Sequence, residues 1–203
     1  MKQSDIFAES EGDAWLERNR ALVGRDPVGE AIDDLGIKPQ CVLEIGCANG
    51  WRLAALRGKF DCEVHGVEPS MQGCIEAATR GVPVWRCTAE SLPAGNEAYD
   101  LVIYGFCLYC TDPADWFKIV AEGDRVLRPD GHIVIHDFSI RPEGEAYVRQ
   151  YEHREGISSY HVDFSSLWLA NPLYSHVCWD NCGDGEMVEV IHKTGVGAIW
   201  VRP

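Results

Sequence analysis

Apolar residues recur at near-helical spacing through the first forty positions: Trp15, Leu16, Ala21, Leu22 and Val23, then Val28, Ala31, Ile32 and Leu35 before Gly36. From residue 41 the period changes. Short apolar runs at Cys41–Gly46, Cys62–Val67, Val82–Cys87, Tyr99–Tyr104 and His132–Phe138 read as strands, and amphipathic stretches at Trp51–Phe60 and Met71–Arg80 read as helices between them. Asp112-Pro113 has the form of an N-cap followed by proline at the first helical position. Trp116, Ile119, Val120, Val126 and Leu127 continue that helix until Arg128-Pro129-Asp130-Gly131 stops it. Continuous apolar strands separated by helices predict a parallel sheet covered on both faces.

After Phe138 the alternation gives way to a polar stretch. A helical run follows near Ser165–Ala170, and two strand-like runs at Leu173–Trp179 and Gly195–Val201 end the chain as a hairpin. The expectation is an α/β, Rossmann-like, seven-stranded, mostly parallel sheet with one antiparallel strand and helices on both faces. It forms one domain over residues 1–203, made of a helical cap (1–40), a core (41–138), an insert (139–170) and C-terminal strands (171–203).

The 203 residues carry 18 Lys+Arg against 32 Asp+Glu, a net charge of −14, which repels phosphate backbones and anionic lipids. Nucleic-acid and membrane partners are therefore not expected. The start, Met1-Lys2-Gln3-Ser4-Asp5, does not resemble a secretory signal, and nine scattered cysteines, an odd number, suit reduced thiols. The expected compartment is the cytoplasm.

The chemistry is concentrated in Val42-Leu43-Glu44-Ile45-Gly46-Cys47-Ala48-Asn49-Gly50, a carboxylate at the end of a buried strand with glycines opening the next helix. The spacing is not that of a dinucleotide fingerprint, and Glu44 would repel a pyrophosphate while attracting a cationic amino-acid ligand. Here the chain resembles class I S-adenosylmethionine-dependent methyltransferases, whose first motif is acidic-x-Gly-x-Gly-x-Gly, with Ala48 standing for the middle glycine. Glu68-Pro69-Ser70 lies where the family's ribose-binding carboxylate ends the second strand. Thr88-Ala89-Glu90-Ser91-Leu92-Pro93 is similar to the segment bordering the adenine. Tyr99–Phe106 and Arg125–Gly131 complete the series in order.

The opening Glu11-Gly12-Asp13-Ala14-Trp15-Leu16-Glu17-Arg18-Asn19 is similar to that of bacterial methylases associated with sugar and surface-polysaccharide biosynthesis. The resemblance implies S-adenosylmethionine as cofactor. Its implied contacts are Trp15, Arg18, Asn19, Glu44, Gly46, Cys47, Ala48, Gly50, Glu68, Pro69, Ser70, Ala89, Glu90, Ser91, Tyr104 and Phe106.

Methyl transfer from a sulfonium is an in-line displacement in which alignment is the main task, and a base helps only when the acceptor is a hydroxyl. By position at the carboxyl ends of strands four and five and in the insert, Tyr109, Asp137, Arg149, His153, Arg154, Tyr160 and His161 are candidates to bind the acceptor. His161, His136 and Tyr109 are candidates to catalyse. Strand alternation points His136 and Asp137 opposite ways, so at most one faces the acceptor. No metal is expected, because Cys107-x-x-Cys110 has only the unlike pair Cys178 and Cys182 as partner. The implied activity is methylation of a small polar metabolite, oxygen being favoured, by a monomer or homodimer. A nucleic-acid or protein methyltransferase, and a non-catalytic cofactor-binding regulator, are the alternatives.

Overall fold

A computed structural model describes residues 2–20, 26–138, 149–183 and 185–195. Strand β1 (Cys41–Ile45) is buried along its whole length and pairs in parallel with β2 (Glu63–Val67) and β4 (Tyr99–Gly105). β2 pairs with the short β3 (Val84–Trp85), and β4 with β5 (Leu127–Phe138). A hairpin, β6 (Arg149–Arg154) and β7 (Ile157–His161), stands apart. The long β8 (Tyr174–Gly183) and β9 (Glu186–Lys193) close the sheet, whose order is β3-β2-β1-β4-β5-β9-β8. β9 runs antiparallel to both its neighbours, so among the described residues it is the one reversed strand of this sheet.

Side-chain alternation divides the core between the faces. Val42, Leu101, Ile103 and Val134 face α3 (Pro27–Asp34), α4 (Trp51–Phe60) and α5 (Met71–Thr79), where Val28, Ile32, Leu53, Leu56 and Ala77 meet them. Leu43, Ile45, Val102, Tyr104, Ile133 and Ile135 face α6 (Trp116–Val126) and α7 (Ser165–Leu169), which contribute Ile119, Val126 and Trp168. The chain leaves β1 toward β2 and β3, then returns to place β4 on the other side of β1. That reversal opens a crevice at the carboxyl ends of β1 and β4, where ligands of such sheets bind.

Four local expectations are corrected. Asp112 does not cap α6 but receives the backbone N–H of Gln3 at 2.9 Å, and Pro113–Asp115 is a tight turn ahead of the helix. Leu127 already belongs to β5, whose pairing with β4 slips at Tyr99/Leu101, so Arg128–Gly131 is an irregularity within the strand. The strand predicted at Val82–Cys87 shrinks to two residues. The last sheet strand is Glu186–Lys193, while most of the run predicted as a strand, positions 196–201, lies outside the described residues, as do Ala21, Leu22 and Val23.

The N-terminal segment runs through α1 (Gln3–Ile6), a π-helical turn (Phe7–Glu11) and α2 (Gly12–Asn19). It is fastened at both ends. Lys2 pairs with Asp115 at 2.7 Å, and Asp13 accepts the Gln72 N–H at 3.0 Å as well as the Ser70 hydroxyl at the start of α5. The segment thereby spans the crevice.

Candidate active site

The turn after β1 is shaped by backbone geometry. Gly46 has φ +75°, and a Cβ there would stand 2.7 Å from that of Cys107, so only glycine fits. Gly50 also has positive φ, and its missing side chain lets Ala77 of α5 pack close. Ala48 adopts the left-handed region with φ +48° despite its side chain. Its N–H donates to Glu68 Oε2 at 2.8 Å, and the Ser70 N–H donates to Glu68 Oε1 at the same distance. Desolvation outweighs these two bonds and pushes the Glu68 carboxyl up to about 7.

Around this turn lies a cleft of about 720 Å³, its open mouth included. Ile45, Gly46 and Ala48 form its floor, Val67, Glu68 and Pro69 one wall, and Cys87 to Glu90 the end beyond β3. Phe7, Gly12 and Trp15 of the N-terminal segment cover it. A second cavity adjoins it, sharing Trp15, Gly46, Ala48, Gly105 and Phe106, and reaches Asn19, Cys47, Arg52, His136, Cys182 and Glu186. At its base the buried Arg52 is held by Glu44, by Asp26 at 2.9 Å and by His136 Nδ1 at 3.3 Å. Burial raises the Glu44 carboxyl, against the opposing pull of Arg52.

The donor set fits S-adenosylmethionine. Glu44 Oε2 and Glu90 Oε2 are buried without a hydrogen-bond partner, which suits a ligand carrying an ammonium and other N–H or O–H groups. Each Glu68 oxygen accepts one N–H and keeps a lone pair for a ribose hydroxyl.

Of the residues expected to touch the cofactor, Trp15, Gly46, Ala48, Glu68, Pro69, Ala89, Glu90 and Phe106 line the first cleft, and Asn19, Glu44 and Cys47 the second cavity. Others are placed elsewhere. Tyr104 is fully buried under α6, its ring tilted against that of Trp168 with centroids 5.1 Å apart, because it belongs to the alternation that faces that helix. Arg18 pairs with the buried Glu11, Ser70 caps α5 through the Gly73 N–H, Gly50 packs on Ala77, and the Ser91 N–H bonds to Thr88 O.

The acceptor candidates divide more sharply. His136 faces the second cavity, whereas Asp137 points the other way and accepts the Leu108 and Tyr109 N–H groups at 2.8 and 3.3 Å. Asp137 therefore shapes the turn after β4, and its burial raises it to about 7. The Tyr109 hydroxyl accepts from Trp15 Nε1 at 2.9 Å, and desolvation raises its pKa, which keeps it a phenol. His161 stacks on Phe138 at 5.0 Å, one ring removed from Phe106, and Tyr160 meets Trp116 edge-on. Arg154 pairs with Glu11. None of these hairpin residues lines either cavity, and the side chains of Arg149 and His153 lie outside the described residues.

Arg52, Cys182 and Glu186 line the second cavity without having been expected there. Arg52 had a readable signal: a carboxylate within an apolar strand needs a cation, and the first turn of the next helix supplies one. Glu186 had none, since it arrives from a strand at the far end of the chain. Among the described residues no cluster of three metal-binding side chains occurs.

Residues 43–135 match the family described as methyltransferase domain. A malonyl-[acyl-carrier protein] O-methyltransferase from Hahella chejuensis is 32% identical over 115 residues, 53% of this chain and 40% of the relative. The chain thus spans less than half the length of that curated relative.

Among solved structures, the 1,6-didemethyltoxoflavin N1-methyltransferase of Burkholderia thailandensis, with bound 1,6-didemethyltoxoflavin and S-adenosylhomocysteine, superposes with TM-score 0.69 at 20% identity. That match covers 95% of this chain and 87% of that one. A possible histamine N-methyltransferase from Thermotoga maritima gives TM-score 0.62 at 20% identity, covering 94% and 99%. The matched residues 43–135 are the ones that build the glycine turn, the Glu68 wall and most of strands β1 to β5, so it is this part of the chain that is similar to the methyltransferase domain family.

Proposed function

We propose that this chain transfers a methyl group from S-adenosylmethionine to a small polar molecule, with oxygen the favoured acceptor atom. The observation that carries the reading is the cleft at the crossover of β1 and β4, where Glu68 faces a cavity beside two buried carboxylate oxygens that lack partners. Bound there, the cofactor supplies an electrophilic methyl group on a sulfonium. Glu68 and Glu90 bind its polar groups, Glu44 attracts its ammonium, and Trp15 and Phe7 exclude water from above. The acceptor would enter through the second cavity, whose shared wall of Trp15, Gly46, Ala48, Gly105 and Phe106 would hold it beside the cofactor. Alignment of the two is the main task of the site.

Oxygen is supported by the Hahella relative, which is named for O-methylation, and a non-nucleic-acid acceptor by the net charge of −14. The domain reading, one unit over 1–203 acting in the cytoplasm, belongs to the same proposal. No helix among the described residues is long and apolar enough to cross a membrane.

Calorimetry with S-adenosylhomocysteine and S-adenosylmethionine tests the cofactor, and tritiated methyl transfer to a panel of hydroxy, carboxy and amino metabolites tests the reaction. Saturable binding with transfer to at least one small acceptor is expected. Absence of binding by the folded protein would overturn the reading.

A further inference from the structure

The two cavities meet at a wall formed by Trp15, Gly46, Ala48, Gly105 and Phe106. Gly46, Ala48 and Gly105 bring at most a methyl group as side chain, so the only large side chains at the junction are two aromatic ones. Neither carries a charge. A group seated there meets peptide backbone and two π systems.

The fold fixes both rings. Gly105 ends β4 against the buried Glu44–Arg52 pair, where a Cβ would stand 2.8 Å from Arg52 Nη1 and 2.9 Å from Glu44 Oε1. The chain turns at the next residue: Phe106 has φ +48°, a left-handed conformation that aromatic residues rarely adopt. Its N–H donates to His136 O at 2.8 Å, and its ring is tilted against those of His136 and Phe138 with centroids 4.3 and 5.3 Å away. Such backbone strain persists where the surroundings over-determine it, and it gathers at ligand sites. Trp15 arrives from α2, and its Nε1–H donates to the Tyr109 hydroxyl at 2.9 Å, which ties the indole to the turn after β4. Both residues are half-buried and line both cavities.

We propose that Trp15 and Phe106 clamp the sulfonium of the methyl donor, and that this aromatic clamp makes the cleft distinguish the charged donor from its uncharged demethylated product. The proposal rests on the methyl-transfer reading, in which the first cleft holds the cofactor and the second cavity the acceptor. A methyl group that crosses from one to the other starts at their common wall, which places the sulfonium beside the two rings. Aromatic quadrupoles attract such a cation, more strongly where water is excluded. In the same reading Glu68 and Glu90 serve the cofactor's other polar groups and Glu44 its ammonium, so attraction at sulfur falls to the rings. The product is a neutral thioether and lacks that attraction, so the clamp favours replacement of spent cofactor by fresh.

Calorimetry with three ligands separates charge from shape: S-adenosylmethionine, S-adenosylhomocysteine, and the uncharged isostere in which carbon replaces the sulfonium sulfur. Phe106→Leu and Trp15→Leu each remove one ring while keeping apolar bulk and every carboxylate. Each should weaken S-adenosylmethionine about three- to ten-fold and leave the other two ligands within about two-fold. Phe106→Tyr keeps the ring and should keep the preference. The two positions lie on different elements, so a folding failure at one leaves the other to decide.

Equal loss of S-adenosylmethionine and its isostere in a folded leucine variant would overturn the clamp, because the ring would then act by shape alone. Unchanged affinity for all three ligands would remove both rings from the sulfonium. Failure of the wild-type protein to bind any of the three would overturn the methyl-transfer reading and the clamp with it, whereas the first two outcomes overturn the clamp alone.

Discussion

Ala48 sits in the left-handed region at φ +48°, where a side chain costs roughly 1–2 kcal/mol and glycine nothing. Ala48→Gly adds about 0.4–1 kcal/mol of entropy to the unfolded chain, so a net gain of about 0.5–1 kcal/mol in urea denaturation is expected. The N–H that Ala48 donates to Glu68 stays in place, so affinity for S-adenosylhomocysteine should change less than two- to three-fold, about 0.6 kcal/mol. A destabilised Ala48→Gly would mean the turn is not strained. The same position shows how far single residues were legible. The spacing of Glu44, Gly46, Gly50 and Glu68 announced a ligand turn; Gly46 and Glu68 line the first cleft and Glu44 the second cavity, while Gly50 packs on Ala77. That Glu68 also clamps the turn through the Ala48 N–H was not legible, because that bond joins positions twenty residues apart without a side-chain signature.

The strands of the sheet were legible where burial makes them continuously apolar, as in Val42-Leu43 or Ile133-Val134-Ile135. They were not where pairing is with water or with a local partner. In the hairpin β6–β7, Arg149-Gln150-Tyr151-Glu152-His153-Arg154 shows no apolar alternation, and only Gly156, with φ +80°, marked the turn. β9 was hidden by Glu189, a buried carboxylate in the middle of Val188, Val190 and Ile191 that lies 3.8 Å from His176.

What fastens the hairpin is equally non-local. Glu11, fully buried in the π-helical turn, receives Arg18 and Arg154, and Gln3 accepts the Ser158 N–H. Arg154→Ala leaves Arg18 on Glu11 and should cost only about 0.2–1 kcal/mol, since both arginines are partly in water. Glu11→Ala removes the common anchor. Hydrogen exchange is expected to speed up at Ile157–His161 and in α1 while β1, β4 and β5 keep their protection. Equal loss across the sheet would show that the hairpin and the core unfold together.

Across the whole molecule the buried carboxyls oppose the usual acid sensitivity of an acidic protein. Folded Glu68 and Asp137 hold protons up to about 7, whereas their ordinary values are 4.5 and 3.8, so between those limits the folded state binds more protons than the unfolded one. Stability must then fall as pH rises through that window, each group withdrawing about 1.4 kcal/mol for every pH unit in which it is protonated only when folded. Asp13, Glu76 and Glu122 are lowered by their hydrogen bonds, and their contribution disappears only in more acidic solution. His132, lowered by burial, works against the trend below its ordinary 6.5. Denaturation midpoints should therefore peak at about pH 4.5 to 5 and drop toward about pH 8. A midpoint that rises steadily through neutral pH would show that Glu68 and Asp137 are ionised in the folded state.

A bound ligand should perturb one of these two groups and spare the other. Ribose hydroxyls donating to Glu68 favour its charged form and pull its pKa down from about 7, whereas Asp137 accepts the Leu108 and Tyr109 N–H groups and lines neither of the two cavities described above. Binding of S-adenosylhomocysteine at neutral pH must then release a proton. Calorimetry in buffers of different ionisation enthalpy should register a fraction of one proton lost near pH 7, vanishing toward about pH 9, where free Glu68 is already ionised. Glu68→Gln should abolish the release and weaken binding by roughly ten-fold or more, since charge-assisted hydrogen bonds are worth about 1.5–3 kcal/mol. Tight binding with no proton release in the wild type would detach Glu68 from the ribose.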